Sequence, residues 1–127
     1  MIVVDASAAV AALLHAGPAR EALGSEQLHA PHLIDSEVAH ALRRATAAGR
    51  LHADAAWAAL DVWRRLGATR YAAHSLLERI WELRDNVSAY DATYAALAES
   101  LGCSLLTADA RLAQAPGLQC PVTVVPR

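Results

Sequence analysis

The sequence of 127 residues has no lysine, no phenylalanine and only two cysteines. Two cysteines are too few for a disulfide framework. Because Cys103 and Cys120 also lack zinc-site spacing, we expect both as buried thiols in a reducing compartment. No apolar run approaches the roughly 18 residues of a membrane-spanning helix. No basic segment precedes the apolar N-terminal stretch, so a secretion signal is not indicated, and we expect a cytoplasmic protein without a membrane partner.

An excess of positive charge is also absent. Eleven arginines face 13 acidic residues, and the formal net charge is -2. A strongly basic surface, the simplest sign of a nucleic-acid-binding protein, is therefore missing. Hydrophobic residues make up 55% of the chain and charged residues 19%, which is enough apolar surface for a core. The length fits a single domain spanning residues 1–127.

Short apolar strands alternate with helices along the chain. Strands are predicted at 2–4, 28–30, 69–72, 104–107 and 122–125. Helices are predicted at 7–14, 18–23, 33–48, 54–66, from 75, 88–101 and 109–113. Ser75 and Ser88 each begin a Ser-x-x-acid capping box. Because parallel strands need crossover connections, this alternation predicts an α/β fold with a parallel sheet covered on both faces.

Four acidic residues fall where such a fold places a ligand. Asp5 and Asp109 directly follow predicted strands, and open parallel sheets bind ligands beyond the carboxyl ends of their strands. Glu37 and Asp91 lie in first turns of predicted helices, on apolar faces where a carboxylate needs a partner. Taken singly, these four residues are also explained as helix caps, a capping-box acid or a helix-dipole partner. Their meeting at one end of one sheet favours a shared site.

Neighbouring carboxylates repel one another, so either one of them is protonated or a cation is bound. Oxygen ligands without cysteine or an ordered histidine pair favour Mg²⁺ or Mn²⁺ over zinc. Such an ion leaves coordination positions for a phosphate oxygen and a water, which suits phosphodiester hydrolysis. Competing motifs are weaker, since His29-x-x-His32 lies outside any helix and Ser7 and Ser36 lack a base partner.

Two groups of arginines have two possible explanations. One group comprises Arg43, Arg44 and Arg50, and the other Arg64, Arg65 and Arg70. Each group either lines a nucleic-acid groove or forms a solvated face. The sequence alone favours the solvated faces.

The four acidic segments resemble the PIN-domain ribonucleases, and within them the VapC-type toxins of bacterial toxin–antitoxin pairs. The matching segments are Ile2 to Ser7, Ser36 to Val38, Tyr90 to Ala92 and Leu106 to Asp109. The resemblance covers nearly the whole chain. It implies a three-layer α/β/α sandwich with a five-stranded parallel sheet, and a Mg²⁺-dependent endoribonuclease in which Mn²⁺ substitutes.

The resemblance also implies residue roles and partners. The implied catalytic quartet is Asp5, Glu37, Asp91 and Asp109, with Asp5, Asp91 and Asp109 as metal ligands. Supporting roles fall to the hydroxyls of Ser7 and Thr107 and, by a looser match, to Asn86. The implied partners are an RNA substrate, a small antitoxin protein and a second copy of the chain. Two alternatives remain: a metal-dependent nuclease acting on DNA or structured nucleic acid, and a non-catalytic PIN-like binding module.

Overall fold

A computed structural model describes residues 1–127, and every predicted strand and helix occurs in it. The strands are β1 Ile2–Val4, β2 Leu28–Pro31, β3 Thr69–Tyr71, β4 Ser104–Thr107 and β5 Val122–Val124. The helices are α1 Ala6–Leu14, α2 Pro18–Ser25, α3 Leu33–Ala47, α4 Ala53–Arg65, α5 Leu77–Glu82, α6 Ala89–Leu101 and α7 Ala110–Ala113. One 3₁₀ turn, His74–Leu76, precedes α5. Most boundaries differ from the predicted ones by one or two residues.

The five strands form one parallel sheet in the order β3-β2-β1-β4-β5. The chain moves from β1 towards one edge of the sheet, and later from β3 back across to β4 and the other edge. Right-handed crossovers therefore place α1 to α4 on one face and α5 to α7 on the other. Packing agrees, since α1 contacts α2, α3 and α4, whereas α6 contacts α5, β1, β2 and β4. This is the predicted α/β/α sandwich.

The core lies between these layers and is built mainly from alanine, leucine and β-branched side chains. Val3 and Val4 on the central strand are fully buried. All residues of α6 from Ala92 to Ala98 are buried, because this helix crosses the middle of the sheet. Ser88 caps α6 as predicted, its Oγ accepting a hydrogen bond of 3.1 Å from the Asp91 N–H. The first turn of α6 is thus fixed close to the sheet.

Two local predictions are wrong. Ser75 does not cap a helix: it lies inside the 3₁₀ turn, and α5 begins at Leu77 without a side-chain cap. This start leaves Leu77 and Trp81 exposed, whereas Leu76 and Leu83 enter the core. The two cysteines are free thiols but only partly buried. None of the helices combines the length and hydropathy needed to span a bilayer.

Candidate active site

The carboxyl ends of β1 and β4 lie side by side at the point where the chain reverses its direction across the sheet. Such a switch point opens a crevice between the loops that leave the two strands. Asp5 follows β1 and Asp109 follows β4. Each also caps the next helix: Asp5 Oδ1 accepts from the Ala8 N–H at 2.9 Å, and Asp109 Oδ1 from the Arg111 N–H at 3.0 Å. The capping explanation is therefore correct for both, and it holds both carboxylates at the crevice.

Two hydroxyl groups hold the Asp5 carboxylate. Ser7 Oγ donates to Oδ1 at 2.6 Å, and Thr107 Oγ1 donates to Oδ2 at 2.5 Å. Ser7 Oγ in turn accepts from the Ala108 N–H at 2.8 Å, and Thr107 Oγ1 accepts from the Asp109 N–H at 3.0 Å. Each hydroxyl therefore uses its single proton on Asp5 and is oriented by a backbone donor from the β4 loop.

Asp5 is only 5% exposed, and this burial raises the pKa of its carboxyl group. Hydrogen bonds from Ser7, Thr107 and the backbone act in the opposite direction, because they stabilise the charged form. Burial is the larger effect, so the net shift of the Asp5 pKa is upward. A positive charge beside this buried carboxylate would offset the cost of its burial.

Glu37 reaches the site from the opposite wall, on α3. Its Oε1 accepts a hydrogen bond of 2.6 Å from the hydroxyl of Tyr94, a residue of α6 that is 2% exposed. Burial raises the pKa of Glu37, the Tyr94 bond lowers it, and the negative charges of Asp91 and Asp5 raise it further. The Tyr94 pKa also lies far above its usual value, through burial and its bond to Glu37. The hydroxyl therefore stays a donor.

Tyr94 joins the site without having been predicted from the sequence, because a tyrosine among the apolar residues of α6 indicates a core position. The available signal was spacing: Tyr94 lies three residues after Asp91, so both side chains share one face of α6. Glu37, its partner, lies 57 residues earlier in the chain. Nothing local in the sequence connects the two.

Asp91 completes the group of four carboxylates. Burial raises its pKa first, and the negative charges of Asp5 and Asp109 raise it further. Electrostatic interactions that shift pKa values therefore link all four carboxylates, which lie near one another. Asp109 differs, because bonds of 3.1 Å from Arg111 Nε and Nη2 hold its pKa below the usual range.

Asn86 does not join this group. Its side-chain amide lies beside Gly117, where an added Cβ would come within 2.8 Å of Nδ2. The Asn86 side chain makes no hydrogen bond to any of the four carboxylates. Gly117 has φ +86°, which suits the close approach because glycine adopts this conformation without strain.

The donor set fits a hard divalent cation. It consists of carboxylate oxygens and two hydroxyls, and three of its four carboxyl pKa values are raised. As the side chains lie, no three His, Cys, Asp or Glu side chains converge closely enough to hold an ion. Arg111 occupies both oxygens of Asp109, so binding a cation there requires this guanidinium to move.

Comparison with known proteins identifies the family and the fold. The model of the PIN domain family matches residues 2–118. Ribonuclease VapC9 of Mycobacterium tuberculosis is 59% identical over 127 residues and covers 100% of both chains. The chain belongs to the PIN-domain family, among the VapC ribonucleases.

Further similar proteins support the same family and fold. Ribonuclease VapC1 of Mycobacterium tuberculosis is 48% identical over 129 residues, covering 97% of this chain and 96% of its own. The crystal structure of PAE2754 from Pyrobaculum aerophilum superposes with a TM-score of 0.73 at 27% identity, covering 95% of this chain and 81% of that one. The predicted family and fold class are confirmed.

Proposed function

We propose that the chain hydrolyses RNA phosphodiester bonds with a divalent cation, Mg²⁺ or Mn²⁺, and acts as the toxin of a toxin–antitoxin pair. The observation that carries this proposal is the placement of four carboxylates around the switch point of the sheet, near enough for their charges to interact. Three of these carboxylates have raised pKa values, because the fold buries their charges or brings them close together. A bound cation would stabilise these charges. The relatives that bear the name ribonuclease favour RNA over DNA.

Asp5, Asp91 and Asp109 are the proposed ligands. When bound, the cation polarises the phosphate and lowers the pKa of a coordinated water. Ser7 and Thr107 keep the Asp5 carboxylate in one orientation, so its position is set before any ligand enters. Asp109 would hold the cation once the guanidinium of Arg111 had moved away from its two oxygens.

Glu37 is the proposed general base. The pKa of Glu37 is raised towards neutral pH, and a base with a higher pKa accepts a proton from water more effectively. Tyr94 engages only Oε1, which leaves Oε2 to accept a hydrogen bond from the attacking water. Tyr94 is thus a positioning residue, because it acts by holding Glu37.

The test incubates labelled RNA and DNA side by side with the purified chain, with Mg²⁺ or with EDTA. We expect cleavage of RNA with Mg²⁺ only. Asp5→Asn removes the charge and keeps an acceptor for the cap of α1, so this variant should fold and lose cleavage. Asp54→Asn, an exposed acid on α4, is the matched control. Full activity of Asp5→Asn, or cleavage in EDTA, contradicts the proposal; DNA cleavage alone favours the DNA alternative.

Cation binding is measured separately by thermal unfolding. A ligand that binds only the folded chain stabilises it by about 2.7 kcal/mol at 100 times its Kd. We expect this gain with Mg²⁺ in the parent chain and a much smaller gain in Asp5→Asn. A folded, inactive chain whose unfolding ignores Mg²⁺ and Mn²⁺ supports the binding-module alternative.

Partners belong to the proposal as well. We propose a small antitoxin partner, a homodimer and a cytoplasmic location. The VapC relatives support the antitoxin, and the exposed Leu77 and Trp81 of α5 offer apolar surface for association. Light scattering at rising concentration should give twice the mass of one chain. Induced expression in a bacterium should arrest growth, whereas Asp5→Asn should not. Growth arrest by both proteins contradicts the link between toxicity and cleavage.

A further inference from the structure

A groove of about 790 Å³ runs between α1 and α3 and opens at the carboxylate site. Ser7 and Glu37 line its inner end. Further along α3 the lining passes to His40 and Arg44, three and seven residues after Glu37, which is one stripe of the helix. Arg50, beyond the end of α3, continues the same wall. The lining therefore changes from negative to positive with distance from the site.

The structure also separates the two arginine groups that the sequence left unresolved. Arg64 and Arg65 both pair with Asp61, at 2.6 and 3.3 Å. Arg70 makes two bonds to Asp35, at 2.7 and 2.8 Å. Arg70 therefore has a carboxylate partner of its own, Arg64 and Arg65 share one, and none of the three lines the groove.

The first arginine group behaves differently. Arg44 and Arg50 are exposed, their side chains form no ion pair or hydrogen bond, and they line the groove together with Arg127. Glu37 is the single acidic residue in that lining. Free guanidinium groups in a groove attract phosphate, since they present several donors in a fixed fork. The local positive charge that the overall composition lacks is thus concentrated here.

We propose that this groove binds the phosphate backbone of the RNA strand on one side of the cleaved bond, with Arg44 and Arg50 as phosphate contacts. The inference rests on the proposed RNA cleavage and adds the path of the substrate. Glu37 and Arg44 lie about 10 Å apart along α3, so a strand in the groove reaches both the acidic site and the arginines. No Trp or Tyr lines the groove, and its charged side chains are mainly arginines, which suits contact with the phosphate backbone.

The test is binding of a short labelled single-stranded RNA of mixed sequence to the metal-free chain, followed by fluorescence anisotropy across a KCl series. Each phosphate contact to single-stranded nucleic acid contributes about 0.7 to the slope of log affinity against log salt. We expect Arg44→Ala and Arg50→Ala each to lower this slope by about 0.7. Arg43→Ala is the control, because Arg43 is an exposed neighbour on α3 that does not line the groove.

Cleavage kinetics provide a second readout. With Mg²⁺, Arg44→Ala and Arg50→Ala should raise KM with kcat unchanged, the signature of lost substrate binding. If Arg44→Ala and Arg50→Ala give the same salt slopes and KM values as Arg43→Ala, the groove does not bind the RNA backbone. The proposed RNA cleavage is unaffected by that result. Arginine-dependent RNA binding without any cleavage supports the groove and contradicts the proposed activity. Failure of the parent chain to bind RNA also overturns the groove. The same holds if the variants lose affinity for an acidic peptide used as a second probe but keep their affinity for RNA.

Discussion

The hydrogen bond between Tyr94 and Glu37 offers a sharp test of the site, through the substitution Tyr94→Phe. The change removes one hydroxyl from a side chain that is 2% exposed and leaves its ring in place. Glu37 Oε1 then loses the donor that lies 2.6 Å away. A hydrogen bond to a charged group contributes about 1.5–3 kcal/mol to stability. Because Glu37 keeps partial access to water, we expect a loss near the lower end, about 1.5–2 kcal/mol at neutral pH.

The loss should depend on pH. Glu37 already has a raised pKa in the folded chain, and the Tyr94 bond works against that rise. Removing the bond raises the folded pKa further. When the folded pKa of a carboxyl group is raised, the free energy of unfolding falls as pH rises through that pKa. The variant has the higher folded pKa, so its free energy of unfolding falls further than that of the parent. The difference between the two proteins is therefore largest at neutral pH. Below the ordinary pKa of glutamate it shrinks to the value of a neutral hydrogen bond, about 1 kcal/mol.

Urea unfolding in EDTA at neutral and acidic pH measures this difference. A change of 1 kcal/mol shifts the melting temperature of a domain this size by about 4 °C, so thermal unfolding should show a loss of about 6–8 °C. Tyr90→Phe is the control, because Tyr90 lies on the same helix, is 65% exposed and bonds no carboxylate. Equal stability of Tyr94→Phe and Tyr90→Phe, or a difference that ignores pH, refutes the assigned bond.

Three further predictions concern the charges of the site. Asp91→Asn should raise the melting temperature in EDTA, because burial and the charges of Asp5 and Asp109 make the Asp91 carboxylate costly; an unchanged or lower melting temperature argues against that crowding. Arg111→Ala should bind Mg²⁺ more tightly, since the guanidinium no longer competes for Asp109; calorimetry showing equal or weaker binding contradicts this competition. The stabilisation by Mg²⁺ should grow from acidic to neutral pH, because protons compete for carboxylates with raised pKa values; a thermal shift independent of pH rules these carboxylates out as ligands.

The positions of Asp5 and Asp109 were predictable because local patterns define them. A β-branched or apolar run marks each strand, and the residue after the strand is then at the carboxyl edge of the sheet. The alternation of such strands with periodic helices was enough for the fold class. The capping-box prediction failed at Ser75, because a 3₁₀ turn there delays the start of α5 by two residues. The later start changes which side chains of α5 face the core.

Contacts between distant segments could not be predicted in the same way. The bond from Tyr94 to Glu37 joins α6 to α3, and the pairing of Arg70 with Asp35 joins β3 to α3. Both depend on the relative placement of elements on the two faces of the sheet, which no local pattern encodes. The same limit applies to the arginines: Arg44 and Arg70 look alike in the sequence, and only packing shows which of them is already paired.

Helix capping explains the positions of Asp5 and Asp109, but stability does not explain the charges of Asp5, Glu37 and Asp91. Burial raises the pKa values of all three, and neighbouring carboxylates raise those of Glu37 and Asp91 further, so at neutral pH each charge destabilises the metal-free folded chain. The surrounding layers do not need these charges, because the apolar side chains of β1 and α6 form the core without them. Binding a divalent cation reverses the sign, since the same repulsion then becomes part of the affinity. The concentration of such charges where the fold opens a crevice therefore supports the proposed cation site.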